Sequence, residues 1–299
     1  MKLAFNSIAN VGWDLPTMVM KAKEFGYQGI ELRGLSGQMH LPLASELASS
    51  PAKISQLIRD TGVELICLSS AASFHMSNPA EVAENLATAR EYIELAGRLK
   101  CPMVRVFSGE IPRGKIFYER RETVMGRIVD ALRTLVPIAA EHDVTVVVEN
   151  GGDFTDSAAL WYLIDAVDSP LVQCCWSPFA ARTRLERPTT SIPRLGTKIA
   201  MVHICDGKFA ANGGLESYAT PGQGDLEISR MIQLLKGIAY QGYLVVDWPK
   251  LWVPSLADAD KVLPAAAKYL QPLLNEKPVV LTAYKGDKNA PRQGLAPVG

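Results

Sequence analysis

Short apolar runs alternate along this chain with longer segments of helical period, and that rhythm sets the expected architecture. Strand candidates fall at 3–6, 29–33, 63–69, 103–107, 144–149, 172–176, 199–205 and 243–247. Apolar runs separated by helical stretches are the pattern of a parallel sheet with crossover helices. The clearest helix is expected over 80–99, where Val82, Leu86, Ala89, Ile93 and Leu95 share one face. Asn78 and Pro79 suit its start, as cap and first-turn residue. Gly26, Gly62 and Gly242 stand just before strands, where a helix must stop and the chain must turn. The connection 177–198 carries several Pro and Arg residues with weak periodicity, so an irregular loop with a short helix is expected there.

Eight strand candidates in strict alternation favour one closed α/β barrel, (β/α)8, over residues 1–275. An open dinucleotide-binding sheet would need a glycine-rich turn after its first strand, and 6–14 contains only Gly12. Residues 276–299, with their Lys, Gly and Pro, read as a C-terminal extension. It is either a flexible end or an arm across a second copy, which leaves a homo-oligomer open. The formal net charge is zero, so the chain lacks the electrostatic term that dominates nucleic-acid affinity. Its five cysteines are odd in number and show no CxxC spacing, which suits reduced thiols and a cytoplasmic protein. No signal-like segment opens the chain, and no apolar stretch of about eighteen residues suggests a membrane span. The expected partner is therefore a small molecule, with no nucleic acid and no membrane.

In such barrels the polar residues at strand C-termini carry the chemistry. Glu31, Arg105, Glu149, His203 and Asp247 each interrupt an apolar strand in the inward phase. A charge there is costly unless paired, solvated or bound to a metal. Glu31 and Arg105 also fit a plain ion pair inside the barrel mouth. Glu149 is followed by Asn150-Gly151-Gly152, an open loop beside a carboxylate. Trp13, Phe74, Phe107, Trp176, Trp248 and Trp252 lie near strand ends, where aromatics either line an apolar wall or fill core. His75, in the loop after the third strand, is a candidate polar contact.

Six motifs in order resemble those of xylose-isomerase-like barrels, the group of ketose 3-epimerases, hydroxypyruvate isomerases and inosose dehydratases. They are Gly-Tyr-Gln-Gly-Ile-Glu-Leu (26–32), Leu-Ala-Gly-Arg-Leu-Lys-Cys-Pro-Met-Val-Arg-Val-Phe-Ser-Gly (95–109) and Val-Val-Glu-Asn (147–150). Val-His-Ile-Cys-Asp-Gly (202–207), Pro-Gly-Gln-Gly-Asp (221–225) and Gly-Tyr-Leu-Val-Val-Asp-Trp (242–248) complete the series. The resemblance implies a TIM barrel and a divalent metal, often manganese, magnesium or cobalt. That metal would be held by Glu149, His203 and Asp247, plus a carboxylate on the sixth strand. There the chain reads Cys-Cys-Trp-Ser-Pro-Phe-Ala (174–180), with Ser177 where the pattern has Asp and Ala180 where it has His. A neutral hydroxyl is a poor ligand for a hard cation, so this site is expected to be weakened or absent.

The chemistry implied is proton abstraction next to a carbonyl of a keto-sugar or cyclic polyol. Glu149 and Asp247 would remove and return the proton. Without metal, Arg105, Lys208 or His203 would have to steady the anion. Cys205 stands where the group often has Lys and fits a small buried residue better than a reactive thiol. A metal-free barrel serving as a binding or scaffold subunit is the alternative, supported by Ser177 and Ala180. The related apurinic endonucleases need many His ligands, whereas this chain has four His in all.

Overall fold

The apolar runs become strands with bounds close to those expected. In the computed structural model, which describes residues 1–49, 51–114 and 118–277, they are β1 (Lys2–Asn6), β2 (Gly29–Leu32), β3 (Glu64–Ser73) and β4 (Met103–Phe107). β5 (Thr145–Glu149), β6 (Val172–Trp176) and β7 (Ile199–Ile204) follow, then β8 (Asp206–Phe209), β9 (Leu215–Ala219) and β10 (Tyr243–Val246). Among the described residues, β1 to β7 and β10 pair in parallel and close into an eight-stranded barrel. Helices lie between successive strands of the barrel. The helix Pro79–Leu99 forms as its pattern predicts, with the Asn78 side chain accepting from Ala80 N at 3.0 Å. Gly26 ends the helix Leu15–Phe25 with φ +81°, a conformation that costs a residue with a Cβ more than it costs glycine.

Alternate strand residues face opposite sides of the sheet, and this period divides the core in two. Leu3, Phe5, Val104, Val106, Val146 and Val148 pack outward against the helices. Ala4, Ile66, Cys67, Val147, Cys175, Met201, Tyr243 and Val245 fill the barrel interior. Two residues further along the same inward rows come Glu149, His203 and Asp247. An apolar floor thus ends abruptly in a charged layer at the C-terminal mouth.

Two features depart from the sequence reading. The connection 177–198 holds two short helices, Pro178–Arg182 and Pro188–Leu195, each opened by a proline whose fixed φ suits the first turn. At five and eight residues they are too short to repeat a helical period more than about twice. The seventh strand stops at Ile204, and the chain folds at once into the antiparallel hairpin β8–β9. Of the two readings open to Phe74 and Trp176, burial to 0% and 1% exposure selects core. Of the proposed extension 276–299, residues 278–299 lie outside the described residues. No helix among the described residues is long and apolar enough to cross a membrane.

Candidate active site

His203 is the centre of the charged layer. Its Nε2–H donates to Glu31 Oε2 at 2.8 Å and its Nδ1–H to Glu149 Oε1 at 2.9 Å. Asp247 Oδ2 lies 3.9 Å from the same Nδ1. Arg105 Nε stands 3.4 Å from Glu149 Oε2 and donates to Ser69 Oγ at 3.2 Å. The Ser69 hydroxyl in turn donates to Glu31 Oε1. Glu31 and Arg105 therefore meet through Ser69, while the direct partner of Arg105 is Glu149. Arg105, Glu149, His203 and Asp247 are brought together as the strand phase predicts.

Burial disfavours every charge here, and the outcome for each group depends on its neighbours. Burial works to raise the Glu31 and Glu149 carboxyls, but His203 and Arg105 outweigh it and hold both below the usual carboxylate range. Burial works to lower the His203 imidazole, yet Cys175, Glu31, Glu149 and Asp247 raise it well above its ordinary value. Asp247 is the exception among the acids. Burial, with Glu149 and Glu31 adding repulsion against the attraction of His203, pushes it up to about 6. Its side chain is also the most open of the three, at 28% exposure against 12% for Glu149 and 0% for Glu31.

The remaining candidates surround this cluster or stand apart from it. The Phe107 ring lies under the Arg105 guanidinium, 3.9 Å from centroid to Cζ. Trp248 is buried, donates from Nε1 to Ala257 O at 2.8 Å, and meets Tyr218 edge-on. Trp13 packs edge-on against Phe5. His75 stands over Gly109, with its buried Nδ1 lacking a partner among the described residues and its backbone carbonyl held by Arg127. Lys208 does not join the cluster: it is exposed and paired with Asp225 at 2.8 Å. Trp252 is 59% exposed.

Arg33 and Asp206 are among the residues to which the sequence reading gives no role. Arg33 is buried, donates to Met39 O at 3.3 Å, and is near enough to Glu31, Glu149 and Arg105 to feel all three charges. Its signal was available, since it follows Glu31 by two positions in the same phase. Asp206 is completely buried, and its carboxylate accepts from four backbone amides: Gly207 and Leu226 on Oδ1, Gly222 and Gly224 on Oδ2. Gly224 is obligatory there, because a Cβ would stand 1.9 Å from Asp206 Oδ1. The motif Pro-Gly-Gln-Gly-Asp is thus the wrapping of a structural carboxylate.

The residues present partly match the metal set that the resemblance implies. Ser177 Oγ is engaged in capping, accepting from Ala180 N at 3.2 Å, and its backbone is clamped on both sides by the Asn150 amide. It supplies no charged donor. Donor atoms of Glu149, Cys175 and His203, however, lie within 4.8 Å of one another, with Asp247 alongside. That group fits a divalent cation. Ser177→Asp is expected to raise manganese affinity, since Asp adds a hard, charged oxygen and can still cap the helix. Calorimetry on both variants checks this, and unchanged affinity would mean that Ser177 does not occupy the ligand position.

Comparison with known proteins agrees with the fold. No curated protein matches the sequence. The probable 3-DHS dehydratase AsbF of Bacillus anthracis superposes with a TM-score of 0.73 at 18% identity, over 91% of this chain and 99% of that one. A structure of IolI with a bound zinc atom gives 0.77 at 19%, over 92% and 98%. The 3-keto-D-glucoside 4-epimerase YcjR of E. coli gives 0.70 at 17%, over 91% and 98%. At these identities the likeness is one of fold. The model of the xylose isomerase-like TIM barrel matches residues 19–273, nearly the whole described barrel, and the chain belongs to that family.

Proposed function

We propose that this chain is a carbohydrate isomerase or epimerase, or a dehydratase sharing the same first step, acting on a small keto-sugar or cyclic polyol. The observation that carries this reading is the asymmetry of the two mouth carboxylates. Asp247 is partly open to solvent and pushed up to about 6, whereas Glu149 is shielded and held low by two cations. A base whose pKa lies just below working pH is ionised yet still accepts a proton readily. Asp247 would take the proton beside the carbonyl, and Glu149 would serve the opposite face of the substrate.

The anion formed by that step needs positive charge in a dry site. His203 and Arg105 provide it, and Arg105 Nη1 is buried without a protein partner among the described residues. A divalent cation held by Glu149, His203 and Asp247 would polarise the carbonyl and its neighbouring hydroxyl. Glu31 and Ser69 keep the His203 ring oriented throughout. The named dehydratase and epimerase among the structural neighbours support the same reaction class.

The test is incubation with a panel of keto-sugars and inososes in deuterated water, with and without added metal. Turnover is expected, with deuterium at the carbon next to the carbonyl, and Asp247→Asn should slow it about 10² to 10⁴-fold. Neither product nor label from any member of the panel would favour the alternative, a barrel retained as a binding or scaffold subunit.

A further inference from the structure

Cys175 is completely buried in the barrel interior, on the strand next to Glu149, and the two residues are register partners. They stand at one height and face the same space. Cys175 comes two residues before Ser177, so it shares the inward phase of the position where the family's carboxylate is missing. We propose that the Cys175 thiolate replaces that carboxylate, forming with Glu149 and His203 a centre for zinc or another borderline-soft cation rather than for manganese or magnesium. This deepens the metal-assisted form of the reading above and rests on it.

Three observations converge on this assignment. Cys175, Glu149 and His203 are the metal-capable group found among the described residues, with donor atoms inside 4.8 Å. Metal bonds of about 2.0 to 2.3 Å give tetrahedral edges of roughly 3.3 to 3.8 Å. The second observation is the far side of the imidazole. Glu31 accepts from His203 Nε2 and is itself held by Ser69, the carboxylate–imidazole arrangement that orients a ligating histidine and leaves its other nitrogen for the metal. The third is Ser177, whose hydroxyl is spent on the helix cap.

A thiolate, an imidazole and a carboxylate together suit zinc or cobalt, whereas manganese and magnesium favour oxygen donors. Coordination would form sulfur–metal and nitrogen–metal bonds and release the Cys175 thiol proton and the His203 Nδ1 proton to solvent, with no change of oxidation state. Cys205, a further cysteine near the mouth, is outside the group: its Sγ lies 3.9 Å from Asp206 O.

The full-length chain, stripped with chelator, is titrated with cobalt(II), zinc(II) and manganese(II). Cobalt should produce a near-ultraviolet thiolate-to-metal charge-transfer band, and X-ray absorption of the zinc form should show one sulfur neighbour without any mutation. Cys175→Ser should abolish the band and weaken zinc by at least about 10 to 100-fold, the cost of losing even an outer-shell partner. Cys205→Ser should keep the band. Cobalt bound with no band, or a band that survives Cys175→Ser, overturns the assignment and leaves the proposed reaction standing. A sulfur-ligated metal in a chain inactive on every substrate would instead remove the reaction and leave Cys175 as a ligand.

Discussion

Glu149→Gln is expected to abolish most turnover while leaving the barrel folded. Gln keeps the size of the side chain and an oxygen for one of the two cations that flank it. It loses the negative charge that attracts both His203 Nδ1 at 2.9 Å and Arg105 Nε at 3.4 Å. It also loses the capacity to accept a proton. A missing general base typically costs about 10² to 10⁴ in rate. The fold should survive because Glu149 caps an interior whose floor, from Val147 to Val245, is apolar and complete without it. Once a substrate is in hand, kcat and the far-ultraviolet spectrum are measured together. Full activity in a folded variant would exclude Glu149 as the group that serves the substrate face opposite Asp247.

Asp206→Ala should cause the largest loss of stability of any single change near the mouth. The carboxylate is fully buried and accepts from the amides of Gly207 at 2.8 Å, Gly222 and Gly224 at 2.9 Å, and Leu226 at 3.2 Å. Hydrogen bonds to a charged group contribute about 1.5 to 3 kcal/mol each, and buried donors left unpaired cost more than their loss alone. The four are not additive, so a loss of about 3 to 5 kcal/mol is expected, at the upper end of single-residue effects. Denaturant titration of both proteins gives the value. A loss below about 1 kcal/mol would show that water satisfies the four amides as well as the carboxylate does. The loop 220–226 and the hairpin beside it carry Phe209 and Tyr218, which pack with Phe179 at the rim.

What the sequence determined by itself is the scaffold and the charged layer upon it. Period-two apolar runs ending in Glu149, His203 and Asp247 can be satisfied in few ways, because a charge at the end of a buried strand must emerge at a solvated mouth. Local signals such as Asn78-Pro79 and Gly26 act within a turn of chain, so they were legible without any partner. The tertiary structure alone decided which group holds which. That Arg105 faces Glu149, that Ser69 joins it to Glu31, and that His203 lies between two carboxylates depends on side chains from β2, β3, β4, β5 and β7. No spacing along the chain encodes those distances. The same holds for Asp206, one more polar residue in a motif until four amides from two segments close around it. It holds for Cys175 as well, an apolar-run cysteine in sequence that barrel closure sets beside Glu149 and His203. Hydrophobic period fixes which way a residue points; only packing of distant strands fixes what it meets there.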